Sequence, residues 1–137
     1  ADNSIMEVIQ PGQHGSTFGG NPLAAKVAVA ALAVVKEESL SQNARKLGDL
    51  FRKEMNRIIA KTDLITKVRG KGLLNAIIIN DHPSSTTAWD LCIALKDNGL
   101  LAKPTHGNII RFAPPLVITE EELMECVSII EKTIREF

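Results

Sequence analysis

The 137-residue chain predicts a small α/β protein in which helices lie on a mixed or antiparallel sheet. Three observations carry that expectation. Helical periodicity recurs in several stretches, apolar runs of strand length fall between the later ones, and from about residue 64 the order reads β, α, β, β, α. Hydrophobic content of 45% beside 23% charged residues is that of an ordinary globular protein. A chain of this size buries roughly two-thirds of the surface it exposes when unfolded, enough for one core.

Each element has a local cause. Asn21 serves as N-cap and Pro22 as first residue of a helix that runs to about Glu38. Its segment Leu23–Val35 is apolar nearly all round, so it wants neighbours on several sides, more than a short chain offers. From Ser39 or Ser41 a second helix places Leu40, Ala44, Leu47, Phe51, Met55 and Ile58 at helical spacing, with Arg45, Lys46, Arg52 and Lys53 on a solvated face. Leu64–Val68 and Leu73–Ile79 read as β, parted by Arg69-Gly70-Lys71-Gly72, whose glycines suit a bulge or tight turn. Ala76–Ile79 is apolar without alternation, the pattern of a buried central strand.

The loop Asp81–Ser85 leads to a third helix with Ala88, Leu91, Cys92 and Leu95 inward and Asn98-Gly99 as its stop. Leu100–Ala102 and Ile109–Ala113 follow as two short strands joined through Pro104–Asn108, and Pro114-Pro115 ends the second. Thr119 and Glu122 stand at capping-box spacing before a last helix that lines up Leu123, Val127, Ile130 and Ile134.

Composition removes several function classes. Sixteen basic and sixteen acidic residues cancel, and aromatic content is 4% with no Tyr, so no broad electrostatic footprint or stacking platform for nucleic acid is present. No apolar stretch approaches the ~20 residues that cross a bilayer, and neither nucleic acid nor membrane is expected as a partner. Cys92 and Cys126, on apolar helix faces, read as buried free thiols suited to a reducing compartment. Ala1-Asp2-Asn3-Ser4 lacks a Met and a basic amphipathic presequence, so a cut chain is expected. His14, His82 and His106 show no ligand spacing, and no metal is assigned; nor does Ser16 have a base placed to make a triad.

Two places invite an anion. His14-Gly15-Ser16-Thr17-Phe18-Gly19-Gly20-Asn21-Pro22 lets backbone approach a ligand, offers the Ser16 and Thr17 hydroxyls, and opens onto a helix N-terminus with unpaired N–H groups. It is neither a P-loop nor a dinucleotide fingerprint, and a capped surface turn explains it equally well. Arg111 sits among Ile109, Ile110, Phe112 and Ala113 rather than on a polar face. A guanidinium withdrawn from water needs a counter-charge, and its planar fork matches a carboxylate two bonds at a time. An edge-strand arginine facing solvent, or one paired with an internal Glu, is the plainer reading. Among the lysines, Lys26 in the apolar helix and Lys103 before Pro104 are the candidates for desolvated amine chemistry, each also readable as a snorkelling or exposed lysine.

Taken together, Gly15–Ala24, Arg69–Ala76, Gly99–Gly107 and Ile109–Leu116 resemble the C-terminal part of the class III aminotransferases, which depend on pyridoxal phosphate. The resemblance covers essentially the whole chain. Its first motif is shared with members acting on acetylornithine or γ-aminobutyrate, whereas Lys103–His106 with Ile110–Ala113 points more narrowly to members acting on ornithine. It implies that Thr17, with Ser16 beside it, contacts the cofactor phosphate across the interface of a homodimer, and that Arg111 holds the α-carboxylate of a 2-oxo acid. It also implies transfer of the δ-amino group of ornithine to 2-oxoglutarate, in the cytoplasm or, for a eukaryote, the mitochondrial matrix. Residues 1–37 would then be the tail of a large cofactor domain, and residues 38–137 the small C-terminal domain of a transferase. The Schiff-base lysine falls before Ala1, neither Lys26 nor Lys103 aligns with it, and the chain should be inactive alone. A stand-alone α/β binding module that docks through Leu23–Val35 is the reading from a different class.

Overall fold

The computed structural model describes residues 1–137, which divide into two compact units, Ala1–Glu38 and Ser39–Phe137. The first holds a short helix α1 (Asn3–Met6) and the helix α2 (Pro22–Glu37). Asn21 caps α2 as expected, its side-chain oxygen accepting from the Leu23 and Ala24 N–H groups at 2.9 and 3.3 Å. No residue of α2 is buried, and Leu23 and Leu32 stand 73% and 71% exposed. That is the apolar surface its composition foretells, left open.

The second unit is a four-stranded sheet with three helices on one face. It contains α3 (Leu40–Ile59), β1 (Ile65–Lys71), β2 (Leu74–Ile79), α4 (Thr87–Asp97), β3 (Lys103–Thr105), β4 (Ile109–Phe112) and α5 (Glu120–Glu136). Strand order is β1-β2-β4-β3, every pair antiparallel, so the sheet is not mixed. Helix α3 packs on β1 and β2, α4 on β3 and β4, and α5 touches both helices. One core joins them, with Met55, Ile77, Ala88 and Ile110 fully buried and Phe51 against Phe112 at 5.6 Å between ring centroids. Burying a side chain of this class is worth about 1.5–3 kcal/mol, so the inward rows of α3, α4 and α5 fasten the helices to the sheet. Thr119 and Glu122 form the anticipated capping box, with bonds of 2.8 and 3.2 Å.

Three elements depart from the sequence reading. Arg69-Gly70-Lys71 does not break the hairpin but completes β1, and the turn is the pair Gly72-Leu73. Gly72 has φ 55° at the first central position, which a two-residue turn of type II′ assigns to glycine. Second, Ile78 and Ala76 are only half-buried while Ile77 and Ile79 are buried, because helices cover one face of β2 alone. Third, Leu100–Ala102 is not a strand. The edge strand is Lys103–Thr105, with Pro104 tolerated because an edge need not donate on its outer side.

Arg52 also leaves the solvated face assigned to it. Its Nη1 donates to the Gly72 carbonyl at 3.0 Å and to Asn75 Oδ1 at 2.7 Å, and its Nη2 to Asp49 Oδ1 at 2.6 Å. Asn75, 3% exposed, returns Nδ2 to the same Gly72 carbonyl at 3.0 Å. These bonds fasten the β1–β2 turn to α3. Farther along, Arg57 grips Glu131 through both carboxylate oxygens at 3.0 and 2.7 Å, tying α3 to α5. The guanidinium holds the Glu131 carboxyl below the usual carboxylate range.

Candidate functional site

The loop before α2 is ordered by its own polar groups. Ser16 Oγ accepts the Gly19 N–H at 2.8 Å, and the Asn21 N–H donates to the Phe18 carbonyl at 3.1 Å. The left-handed Gly20, φ 78°, lets the chain turn into the helix. These bonds revise the expected anion contact. Pro22 has no N–H, Asn21 Oδ1 takes those of Leu23 and Ala24, and the Asn21 carbonyl takes that of Ala25 at 3.0 Å. The first turn of α2 therefore has no free donor for a ligand. What remains is hydroxyl chemistry: Ser16 accepts through oxygen and keeps its proton to give, and the exposed Thr17 hydroxyl is engaged by nothing in the chain. Two such donors on a glycine-flanked loop fit a phosphate.

Arg111 lies in the second unit, on β4, which is an inner strand and not an edge. Ile110 and Phe112 point into the core, so Arg111 points to the opposite face of the sheet, and it is exposed. Of the readings open for it, the solvent-facing one holds, though from an inner strand and not an edge, and the withdrawal from water does not occur. The internal Glu is absent too: no carboxylate lies within ion-pair distance of its guanidinium, although Lys46, Arg52, Arg57 and Lys96 each have one. Arg111 thus presents an uncommitted fork on a rigid strand, ready for a carboxylate from outside.

The remaining candidates show neither a desolvated amine nor a catalytic relay. Lys26 and Lys103 are exposed, without the desolvation that an uncharged amine requires. His82 Nδ1 meets Ser84 Oγ at 2.7 Å, but Asp81 receives the His82 backbone N–H and the Thr87 hydroxyl instead of the imidazole, so no relay forms. Those two bonds hold the Asp81 carboxyl below its ordinary value. Cys92 is a buried free thiol that burial pushes up to about 11; Cys126 is only half-buried, and burial likewise raises it. A cavity of about 270 Å³ opens among Phe51, Leu73, Leu101, Phe112, Pro115 and Cys126. Its one buried side-chain amide, Asn75, is already bonded to Arg52 and Gly72, so the cavity offers no convergent polar groups.

The comparisons with known proteins decide the family. The model described as aminotransferase class-III matches residues 1–134. The chain belongs to the class III aminotransferases. Family members depend on pyridoxal phosphate and work on amino acids and oxo acids. Among curated relatives, the chain is 57% identical over 136 residues to the mitochondrial ornithine aminotransferase of Rattus norvegicus, covering 99% of this chain and 30% of the rat protein. It is 53% identical over 136 residues to the ornithine aminotransferase of Saccharomyces cerevisiae, covering 98% and 32%. The chain therefore spans about a third of the length of these relatives.

Solved structures agree on the fold. The acetylornithine aminotransferase of Elizabethkingia anophelis superposes with TM-score 0.88 at 75% identity, over all of this chain and 36% of that one. The ornithine δ-aminotransferase of Plasmodium falciparum does so with TM-score 0.85 at 43% identity, over 99% and 35%. No helix here is long and apolar enough to cross a membrane.

Proposed function

We propose that this chain is the C-terminal portion of an ornithine aminotransferase, which moves the δ-amino group of L-ornithine to 2-oxoglutarate and yields glutamate semialdehyde and glutamate. The observation that carries this reading is the likeness to the rat ornithine aminotransferase, 57% over 136 residues and 99% of the chain, which takes in both anion-seeking positions. Residues 1–37 belong to a large cofactor domain and residues 38–137 form the small one. The working assembly is a homodimer, placed in the cytoplasm or, as the rat relative's name has it, in mitochondria.

Each residue has a task its chemistry supports. Ser16 and Thr17 donate to the phosphate of pyridoxal phosphate held by the other subunit, a role suited to hydroxyls with free protons beside backbone that leaves room. Arg111 holds the α-carboxylate of the 2-oxo acid by two parallel N–H bonds and so orients the carbonyl that accepts the amino group. Bound pyridoxal phosphate supplies the electrophilic carbon and the electron sink that carry the amino group between substrates. Lys26 and Lys103, exposed and solvated, supply no reactive amine, and the lysine for that task comes from outside residues 1–137.

The test is donor preference in the full-length protein. With 2-oxoglutarate as acceptor, kcat/KM should be highest for L-ornithine, and preference for another donor refutes the substrate assignment. A second reading, an acetylornithine aminotransferase, is favoured by the 75% identity to the Elizabethkingia structure. A higher kcat/KM for N-acetylornithine would establish it.

A further inference from the structure

The outward face of the sheet carries more positive charge than one carboxylate-binding arginine explains. Lys103 on β3 is the register partner of Arg111 on β4, Arg111 that of Ala76 on β2, and Ala76 that of Arg69 on β1. Directly opposed residues of an antiparallel pair share a face, with Cβ atoms about 4.5–5.5 Å apart. Lys103 and Arg111 therefore stand side by side, and Arg69 follows across one small alanine. None of the three forms an ion pair, and the four strands contain no Asp or Glu. Opposed like charges destabilise a sheet unless something negative lies between them.

The pair is also held still. The β3–β4 loop turns through His106 at φ 50° and Gly107 at φ 76°, and a Cβ on Gly107 would stand 2.0 Å from the Pro83 carbonyl oxygen, so the loop is pressed against the segment before α4. Asn108 Nδ2 donates to the Ile79 and Asp81 carbonyls at 3.2 and 3.1 Å, and the Asn108 carbonyl accepts from the Ile79 N–H at 2.8 Å. Pro104 fixes φ immediately after Lys103. Two unpaired cations on so firmly seated a hairpin form a preorganised seat for one anion.

We infer that Lys103 is a second cationic ligand of the carboxylate that Arg111 binds, so that the 2-oxo acid is gripped from two adjacent strands. The inference rests on the proposed role of Arg111. A carboxylate has about four lone-pair sites; the guanidinium fork takes two side by side, and the lysine ammonium takes one of the others as a point charge. Ala76 keeps the floor of the row low, so the carboxylate can lie against the sheet beside both cations.

The experiment compares Lys103→Met, Lys103→Arg and Arg111→Gln in the full-length enzyme. Lys103→Met should raise the KM for 2-oxoglutarate about tenfold with kcat within about twofold, the mark of lost uniform binding. Lys103→Arg should restore most of it. The Kd of glutarate, a dicarboxylate that cannot react, measured by calorimetry on the same proteins, should move with the KM, and its dependence on salt should flatten in Lys103→Met. Unchanged KM and glutarate Kd in Lys103→Met, with both raised in Arg111→Gln, overturn the second ligand and leave the role of Arg111 standing. No change in any variant overturns both.

Discussion

Gly48→Ala is the substitution on which helix propensity and packing disagree most sharply. Gly48 lies inside α3 and is buried, and in a helix interior alanine is favoured over glycine by about 1 kcal/mol. Against that gain, a Cβ at Gly48 would stand 1.9 Å from the Gly72 carbonyl oxygen, 2.3 Å from its carbon and 2.8 Å from its Cα. All three atoms are backbone, so helix and turn must part by roughly 1.5 Å to reach ordinary contact. The same carbonyl accepts from Arg52 at 3.0 Å and from Asn75 at 3.0 Å, and the separation strains both bonds. Losing a charge-assisted bond costs about 1.5–3 kcal/mol, a neutral one about 1, and overpacking alone about 1–3. Even with partial relaxation the net should be about 2–4 kcal/mol of destabilisation after the helix gain is subtracted. Urea unfolding followed by circular dichroism measures it, with Lys53→Ala on the exposed side of α3 as a control that should stay within about 0.5 kcal/mol. A Gly48→Ala protein as stable as its parent would show that the turn does not press on the helix, and the reasoning would fail.

Arg111→Lys in the full-length enzyme should weaken use of 2-oxoglutarate by ~2 kcal/mol or more, since a bidentate clamp becomes a point charge; an unchanged second half-reaction contradicts the assignment. Thr17→Ala should lower pyridoxal-phosphate affinity by about 1.5–3 kcal/mol, the range for a hydrogen bond to a charged group, read by equilibrium dialysis; equal retention argues against the contact. Cys92 predicts a pH effect with a definite sign. Its thiol is raised from 9.0 to about 11 by burial, so its contribution to stability is complete below pH 9 and lost as the pH climbs from 9 to 11. Cys92→Ala should flatten the alkaline limb of a urea-midpoint profile, and identical limbs would refute the link. Gly107→Ala should destabilise the second unit and, because Lys103 and Arg111 ride on that hairpin, also raise the KM for 2-oxoglutarate; a loss of stability with KM unchanged would separate the loop from the seat.

The helices were legible because their signals are local. Asn21-Pro22, the Thr119–Glu122 box and Asn98-Gly99 act within one turn of chain, and each does what its spacing implies. The strands were legible as apolar runs but not in their limits. Arg69-Gly70-Lys71 looks like punctuation, yet the glycine is required by a neighbour across the hairpin: a Cβ on Gly70 would stand 2.3 Å from Asn75 Oδ1. Leu100-Leu101-Ala102 looks like a strand because it is apolar, yet Leu101 is 86% exposed and pairs with nothing. Hydrophobicity marks what is available for burial; pairing decides what is used, and pairing joins residues far apart in sequence.

The same distinction governs the candidate site. Arg111 draws notice because its neighbours are apolar, and the sequence leaves open whether it is withdrawn from water, faces solvent from an edge strand or pairs with an internal Glu. On a sheet covered on one face, the flanking Ile110 and Phe112 face inward and the residue between them must face out, so an arginine there stays in water and needs no internal partner. Solvent exposure without a partner is what a residue waiting for a substrate carboxylate requires, whereas a buried pair with an internal Glu would have left the fork occupied. The alignment of Arg111 with Lys103 in register, and with Arg69 in the same row beyond Ala76, lies wholly outside what a linear reading can reach, since those residues come from three other strands. The concentration of unpaired cations along one row, in a chain whose sixteen acids and sixteen bases cancel, is therefore a property of the fold and not of the composition.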